Sequence, residues 1–216
     1  MSAPPFGLVT VDIDGTLTTV HGWLALARRF GREDEYRTLM GRIRHGLAGE
    51  DETLRGLLRI AEGRSLAEVE EVLAATPKLA GIPEGVRRLH EAALPVALLT
   101  HNPPYVTDWY RRFGGFDDAA GLVGRQPVGV LIGAPEGIRA DKPSGLLDLC
   151  ARRGVRPSEV VHVGDAPPDA EIFARVGYGI SVNADRPSVE RAADRALRTR
   201  EFGAIVDAIL HPGGPG

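Results

Sequence analysis

The stretch LVTVDIDGTLTTVHGW, residues 8–23, decides the fold and raises a question about function. A run of apolar residues is followed by two aspartates, Asp12 and Asp14, and then by Gly15 and Thr16. Side chains two residues apart on a strand point to the same face, so the two carboxylates would lie together at the strand's carboxyl end. Like charges this close are unfavourable unless a cation or a shared proton relieves them. The pair is therefore either an unfavourable accident of the sequence or a functional site.

Three further apolar runs resemble this first strand, at residues 95–100, 160–165 and 179–183. Turn residues and a helical pattern follow each of them. This alternation predicts an α/β fold: a Rossmann-like, mainly parallel sheet with helices on both faces. Ligands of such sheets bind beyond the carboxyl ends of the strands, which is where Asp12, Asp14, Thr100 and Asp165 fall.

Residues 18–82 have a different character, because they show amphipathic helical patterns and no strand pattern. Ser65 and Glu68 form a capping box that opens the last of these helices. We predict a small all-helical cap, residues 18–82, inserted after strand 1 into a catalytic core formed by residues 1–17 and 83–216. The Gly- and Val-rich segment 120–139 predicts either a hairpin or an extra strand.

Composition bounds the class of protein. The 216 residues carry a formal net charge of −3, without the basic stripe of a nucleic-acid-binding surface. The single cysteine, Cys150, excludes an intrachain disulfide and is predicted to be a packing residue. No apolar run is long enough to span a bilayer, and the first residues lack a secretory signal pattern. We expect a cytoplasmic protein without nucleic-acid or membrane partners; nothing in the sequence indicates its oligomeric state.

Two residues later in the chain, Thr100 and Lys142, are suited to binding an anion. Thr100 ends the second strand, where a hydroxyl and free backbone N–H groups suit phosphate oxygens, although threonine also commonly caps helices. Lys142, in RADKPSG, precedes a predicted helix and is one of only two lysines among 26 basic residues. A compact ammonium fits a narrow site crowded with carboxylates better than the planar fork of arginine does.

The segment VVHVGDAPPDAEIF, residues 160–173, supplies further acids. Asp165 could join Asp12 and Asp14 around a hard divalent cation, and oxygen ligands of this kind suit Mg²⁺. Asp169 is predicted to cap the following helix, to support the site, or both. His162, inside an apolar strand, is predicted to be a buried, hydrogen-bonded core residue.

With these pieces in this order, the chain resembles the haloacid dehalogenase superfamily, on its phosphatase branch. The motifs are DIDGTL at residues 12–17, Thr100 in LLTHN, Lys142 in DKP, and GDAPPD at residues 164–169. The position of the cap and the segment ISVNADRPSVERAAD, residues 180–194, most resemble phosphoserine phosphatases and their relatives.

The resemblance implies a Mg²⁺-dependent phosphomonoester hydrolase. Asp12 would be the nucleophile that forms an aspartyl-phosphate, since a carboxylate with an ordinary pKa of about 4 is ionised at neutral pH. Asp14 would be the general acid and then the general base, and its presence favours phosphoryl chemistry because a halide leaves unprotonated. Mg²⁺ would be held by Asp12, Asp165 and the backbone carbonyl of Asp14. The implied phosphate-binding residues are Gly15, Thr100, His101, Asn102 and Lys142.

Substrate recognition departs from the phosphoserine pattern. Enzymes of that kind use a glutamate shortly after the first motif and an arginine in the cap. The corresponding positions here are His21 and Leu57, the latter flanked by Arg55 and Arg59. His21, Arg55 and Arg59 are the candidate specificity residues, although His21 could equally pack beneath the cap hinge, where Trp23 is predicted to pack. Another small phosphomonoester fits at least as well as phosphoserine.

Other functions share parts of this pattern. A phosphotransferase or phosphomutase would use the same aspartyl-phosphate and pass the phosphoryl group to an alcohol. A phospho-receiver module also gathers acids, a threonine and a lysine, but its phosphoacceptor lies on a middle strand and it lacks the helical insert. A non-catalytic phospho-ligand-binding protein could use the same fold.

Overall fold

The computed structural model describes residues 6–213. The expectation about a secretory signal falls largely on residues 1–5, outside the described part of the chain. The strands are β1 (Leu8–Val11), β2 (Val96–Leu99), β3 (Asp118–Ala120), β4 (Leu122–Arg125), β5 (Glu136–Ala140), β6 (Val160–Gly164), β7 (Tyr178–Val182) and β8 (Arg195–Leu197). The helices are α1 (Gly22–Arg29), α2 (Glu33–Arg44), α3 (Glu50–Arg59), α4 (Leu66–Ala75), α5 (Ile82–Glu91), α6 (Pro104–Gly114), α7 (Lys142–Arg153), α8 (Pro167–Phe173), α9 (Pro187–Ala192) and α10 (Phe202–Leu210).

Six strands form one sheet in the order β3-β2-β1-β6-β7-β8, and every neighbouring pair is parallel. At the centre of the sheet, Val9 of β1 is paired with Val96 of β2 on one side and with Val161 of β6 on the other. The chain builds outward from β1 first towards β2 and later towards β6. Ligand-binding crevices of α/β sheets form at such a reversal of strand order.

Alternate residues of the strands pack against helices on opposite faces of the sheet. Val9 is buried in a cluster with Val86 of α5 and Ile205 of α10. Leu8 is buried in a second cluster with Leu146 of α7, and Cys150 packs there as predicted. Burial on both faces explains why these strands read as continuous apolar runs. The predicted α/β fold is confirmed.

Between β1 and α5 the chain forms the helices α1 to α4. Ser65 accepts a hydrogen bond from the backbone N–H of Glu68, whose carboxylate accepts one from the backbone N–H of Ser65, so the predicted capping box is present. The chain enters and leaves this helical block side by side, because Thr18 and Lys78 form an antiparallel bridge. The division at residues 18 and 82 stays a prediction.

The segment left open between a hairpin and an extra strand forms a separate two-stranded antiparallel sheet, β4–β5. This hairpin contacts α3. Gln126 Nε2 donates a hydrogen bond of 2.9 Å to the carbonyl of Leu58, and Arg55 Nη1 donates one of 2.9 Å to the carbonyl of Ile138. The helical block is therefore held by the hairpin as well as by the bridge between Thr18 and Lys78. Among residues 6–213, no helix combines the length and apolar character needed to cross a bilayer.

Candidate active site

A cavity of about 580 Å³ lies between the carboxyl ends of the strands and the helical block. Its lining includes seven residues singled out from the sequence: Asp12, Asp14, His21, Thr100, His101, Asn102 and Lys142. They come from the ends of β1 and β2, the entrance to α1 and the start of α7. The topology of a parallel sheet brings them together, as expected from their positions after strands.

Lys142 is the first residue of α7 and is buried in the floor of the cavity. Its Nζ donates to Asp12 Oδ1 at 2.8 Å and to Asp169 Oδ1 at 2.6 Å. Burial opposes a charged ammonium, yet the two carboxylates keep the pKa of Lys142 above its ordinary value. An ammonium has three N–H donors, so one donor is left for a ligand.

Asp169 has a donor for each of its lone pairs. Oδ1 accepts from Lys142 and lies 2.9 Å from His162 Nε2, while Oδ2 accepts from the backbone N–H groups of Asp165 and Ala166. Although burial acts in the opposite direction, Lys142 and His162 hold the pKa of Asp169 below its ordinary value. The prediction that Asp169 is the N-cap of α8 was wrong. Ala166 occupies that position, and the Asp169 carboxylate reaches back to it from the third helical residue.

His162 is fully buried and hydrogen-bonded on both sides of its ring, in agreement with the sequence-based expectation. Nε2 faces the Asp169 carboxylate, so it must carry a hydrogen and donate. Nδ1 lies 2.9 Å from the hydroxyl of Thr10. Burial lowers the pKa of His162, which favours a neutral ring that accepts from Thr10. His162 therefore fixes the orientation of Asp169.

Asp12, Asp165 and Asp169 each place a carboxylate oxygen within 4.8 Å of the others. Asp169 is already saturated by donors, whereas Asp165 accepts from Thr16 Oγ1 at 2.7 Å and has no cationic partner within the described residues. Burial, with neighbouring carboxylates, raises the pKa of Asp12 to about 7 and that of Asp165 to about 8. Uncompensated negative charge and hard oxygen donors fit a divalent cation such as Mg²⁺.

Two sequence-based expectations about these acids need refinement. The Asp14 carboxylate lies outside the cluster of Asp12, Asp165 and Asp169, so the proposed contribution of Asp14 through its backbone carbonyl stays a prediction. Ionisation of Asp12 does not follow from its ordinary pKa, because burial raises that pKa.

Gly15 sits at φ +89°, and a Cβ there would collide with the Asp165 carboxylate, so the turn requires glycine.

Asp14 is held by two donors that the sequence did not suggest. Oδ1 accepts from the backbone N–H of Gly22 at 2.6 Å, and Oδ2 accepts from Asn102 Nδ2 at 2.9 Å. Trp23 Nε1 donates to Asn102 Oδ1 at 3.1 Å. Because an indole N–H can only donate, the amide oxygen must face Trp23 and the amide nitrogen must face Asp14. Trp23 belongs to α1 and is buried in the main core, and its indole N–H orients Asn102.

Thr100 and His101 complete the floor of the cavity. Thr100 Oγ1 accepts from Asn102 Nδ2 at 3.0 Å, which leaves its own hydrogen free to donate to a ligand. Burial, together with the nearby charge of Lys142, lowers the pKa of His101 to about 4. His101 is therefore neutral at neutral pH. Its Nδ1 lies 3.4 Å from Glu50 Oε1 at the start of α3, and its buried Nε2 has no hydrogen-bond partner within residues 6–213.

The candidate specificity residues divide into two groups. His21 lines the cavity, with Nδ1 3.9 Å from Asp14 Oδ1. Arg55 and Arg59 are exposed and are not part of the cavity lining, and Arg55 bonds the hairpin instead. The structure thus gives His21 a position from which it can meet a ligand and does not give one to Arg55 or Arg59.

The sequence of this chain is similar to those of known hydrolases. A model of haloacid dehalogenase-like hydrolases matches residues 6–177. A phosphoserine phosphatase from Archaeoglobus fulgidus is 32% identical over 208 residues, which cover 95% of this chain and 60% of that protein. The chain thus spans less than two thirds of that relative. A phosphoserine phosphatase from Halobacterium salinarum is 28% identical over 207 residues, covering 93% of this chain and 97% of that protein.

Solved structures show the same architecture. A hydrolase from Salmonella enterica serovar Typhi superposes with a TM-score of 0.84 at 17% identity, over 98% of this chain and 74% of that chain. A phospho-aspartyl intermediate analogue of phosphoserine phosphatase superposes with a TM-score of 0.78 at 20% identity, over 94% and 98% of the respective chains. At these identities the likeness shows the fold.

Proposed function

Because this chain is an enzyme of the haloacid dehalogenase-like hydrolase family, we propose that it is a Mg²⁺-dependent phosphomonoester hydrolase acting through an aspartyl-phosphate on Asp12. The family resemblance drawn from the four motifs is confirmed. The observation that carries the proposal is a pair of carboxylates with different surroundings at one strand end. Asp12 is bonded to the Lys142 ammonium, while Asp14 is held apart by Gly22 and Asn102.

Two displacements at phosphorus make up the proposed reaction. In the first, a carboxylate oxygen of Asp12 attacks phosphorus, the ester P–O bond breaks, and Asp14 gives its proton to the leaving alkoxide. In the second, Asp14 takes a proton from a water molecule whose oxygen attacks phosphorus. The bond between phosphorus and Asp12 then breaks and phosphate leaves. Asp14 ends in the protonated state in which it began.

The residues around these acids stabilise the transferred group. The remaining N–H of Lys142 and the hydroxyl of Thr100 are free to donate to phosphoryl oxygens, where charge spreads in the transition state. Asp12 and Asp165 are the side chains suited to hold Mg²⁺. A bound cation would offset the repulsion between these carboxylates and the phosphate. Asp169 keeps Lys142 in place rather than serving as a free ligand.

Stabilisation by Mg²⁺ is expected to grow with pH. In the metal-free protein the pKa values of Asp12 and Asp165 lie above their unfolded values of about 4, so the folded state binds more protons and loses stability as pH rises from about 4 to 8. Mg²⁺ binds the ionised carboxylates and therefore stabilises the protein most at the upper end of this window. Melting curves with Mg²⁺ and with EDTA should show an upward shift of a few degrees at about pH 8 and a smaller one at about pH 6.

A matched pair of variants checks this linkage. Asp165→Asn should lose the Mg²⁺-dependent shift, whereas Asp148→Asn, an exposed residue of α7, should keep it. Equal shifts at both pH values, or an undiminished shift in Asp165→Asn, would contradict the assignment of the metal site.

The contact between Asn102 and Asp14 predicts an effect that depends on the leaving group. Asn102→Ala should lower kcat about 10- to 100-fold on alkyl phosphates, because Asp14 loses the donor that orients it for proton transfer. The loss on p-nitrophenyl phosphate should be smaller, since its leaving group needs little protonation. Steady-state kinetics on both esters makes the comparison.

Trp23→Phe isolates the more distant hydrogen bond. It keeps an aromatic ring but removes the N–H that fixes the Asn102 amide, so a weaker loss with the same leaving-group pattern is expected. Trp109→Phe, on α6, is the control and should leave kinetics unchanged. If Asn102→Ala lost activity equally on both esters, the role in orienting Asp14 would have to be abandoned.

Phosphate release from a panel of phosphorylated metabolites, with Mg²⁺ and with EDTA, tests the proposed function directly. Acid-quenched protein should also gain one phosphoryl group on the peptide that contains Asp12. A phosphotransferase or phosphomutase would form new phosphoesters when acceptor alcohols are added, whereas a hydrolase would release phosphate alone. A folded protein that releases no phosphate and gains no phosphoryl group would refute the proposal.

A further inference from the structure

The cap side of the cavity is largely apolar. The core contributes the charged floor. The helical block contributes Met40, Ile43, Ala48, Leu54 and Leu57, together with Trp23 and the polar residues His21, Glu50 and Thr53. A phosphoryl group bound by Lys142 and Thr100 would direct its leaving group towards these side chains. The surface that receives the leaving group is therefore mainly hydrocarbon.

The rotation of α3 determines which of its residues reach this surface. Glu50, Thr53, Leu54 and Leu57 line the cavity, and their spacing of three and four residues describes one helix face. Positions two residues before and after Leu57 lie off that face. The guanidinium groups of Arg55 and Arg59 are consequently outside the cavity, and a Leu side chain occupies the position between them.

The charges of the lining do not suit an amino-acid leaving group. The lining contains one lysine, Lys142, and one arginine, Arg186. Lys142 is committed to Asp12 and Asp169, and Arg186 is an exposed residue that precedes α9 and does not belong to the helical block. None of the lining residues from the helical block is a lysine or an arginine, so a carboxylate directed at the cap would lose water against Leu54 and Leu57 without gaining such a partner there, which is costly. Glu50, at the start of α3, would add repulsion.

The size of the cavity also favours a larger leaving group. Its volume of about 580 Å³ lies within the range of about 300–1,000 Å³ found for sites of small organic ligands. Met40 and Ile43 of α2 are only half-buried, so apolar surface remains for a ligand to cover. Burial of a hydrocarbon group there would be favourable in proportion to the area removed from water.

We propose that the substrate is a phosphomonoester whose leaving alcohol carries an uncharged hydrocarbon portion, aliphatic or aromatic, that packs against Met40, Leu54 and Leu57. This inference rests on the proposed phosphatase function. Leu57 is then a specificity-determining residue, and phosphoserine is a poor substrate.

A series of n-alkyl phosphates from ethyl to hexyl, compared with phosphoserine in the presence of Mg²⁺, tests the inference on the full chain. Each added methylene should raise kcat/KM about three- to fourfold until the cavity is filled. Phosphoserine should fall at least about tenfold below butyl phosphate, as expected for an ionised group buried without a partner. Turnover of p-nitrophenyl phosphate, measured alongside, reports the chemistry independently of the alkyl series.

Variants locate the effect at the cap. Leu57→Arg should reduce kcat/KM for hexyl phosphate at least about tenfold and narrow the gap to phosphoserine. Leu147→Arg, an exposed leucine of α7, is the matched control and should change neither value. Since Leu57 is buried, Met40→Gln at a half-buried position provides a second variant that should flatten the dependence on chain length.

The outcomes separate this inference from the function on which it rests. Mg²⁺-dependent turnover with no dependence on chain length, or with phosphoserine as the best substrate, would overturn the hydrocarbon preference and leave the phosphatase function standing. No phosphate release from any ester, p-nitrophenyl phosphate included, would overturn both.

Discussion

Asp12→Asn is expected to lower turnover of every phosphomonoester by at least about 10⁴-fold, the scale of loss when a catalytic nucleophile is removed. A neutral amide oxygen cannot form the acyl phosphate, so no phosphoryl group should be trapped on the protein. The fold should survive, because the amide still accepts a hydrogen bond from Lys142, whose charge remains paired with Asp169. Measurements of kcat, covalent trapping and melting temperature together distinguish a dead site from an unfolded protein.

The control for this change is Asp148→Asn, which makes the same chemical substitution at an exposed position of α7. It should retain full turnover and trapping. A folded Asp12→Asn protein with near-normal turnover would exclude Asp12 as the nucleophile. Another acid of the site would then have to carry the phosphoryl group.

Lys142→Met is expected to lower both activity and stability. Methionine is unbranched like lysine and only one atom shorter, but it leaves Asp12 and Asp169 buried without their cation, a change that costs about 3–5 kcal/mol in the free energy of unfolding. The loss of a donor to the transferred phosphoryl group should lower kcat by about 10²- to 10³-fold. Lys142→Arg should not restore activity, because the planar guanidinium does not fit the space of a compact, buried ammonium.

Urea unfolding and steady-state kinetics measure the two losses separately. Lys78→Met is the matched control at the chain's other lysine, whose Nζ donates to the backbone carbonyls of Leu73 and Thr76 outside the cavity. That variant should keep wild-type kcat. A Lys142→Met protein with wild-type stability and kcat would show that the ammonium neither balances the acids nor contacts the substrate.

The main strands could be predicted because each one is an apolar run bounded by turn residues. The edge strands β3 and β8 could not be predicted from the sequence. Each is three residues long, begins with a charged residue, Asp118 or Arg195, and pairs with a single neighbour in the main sheet. Such segments form because an adjacent strand offers hydrogen bonds, and their own sequence carries no apolar periodicity.

The positions of the site residues could be predicted from their places after strands, but their partners could not. The orientation of Asn102 depends on Trp23, 79 residues away along the chain. Whether Leu57 or one of its arginine neighbours faces the cavity depends on the rotation of α3 about its axis. The raised pKa values of Asp12 and Asp165 depend on burial, which only the packed structure determines.

The side-by-side pairing of Thr18 with Lys78 has a consequence for how such an enzyme can change its specificity. Because the two ends of the helical block lie side by side, we expect that α1 to α4 can be replaced as a unit without moving β1 or the residues Asp12 and Asp14 that follow it. The hydrogen bonds of Gln126 and Ile138 to α3 set the condition for such an exchange. We expect a replacement block to keep these contacts only with a matching β4–β5 hairpin, so a change of substrate range would involve two separate segments of the chain.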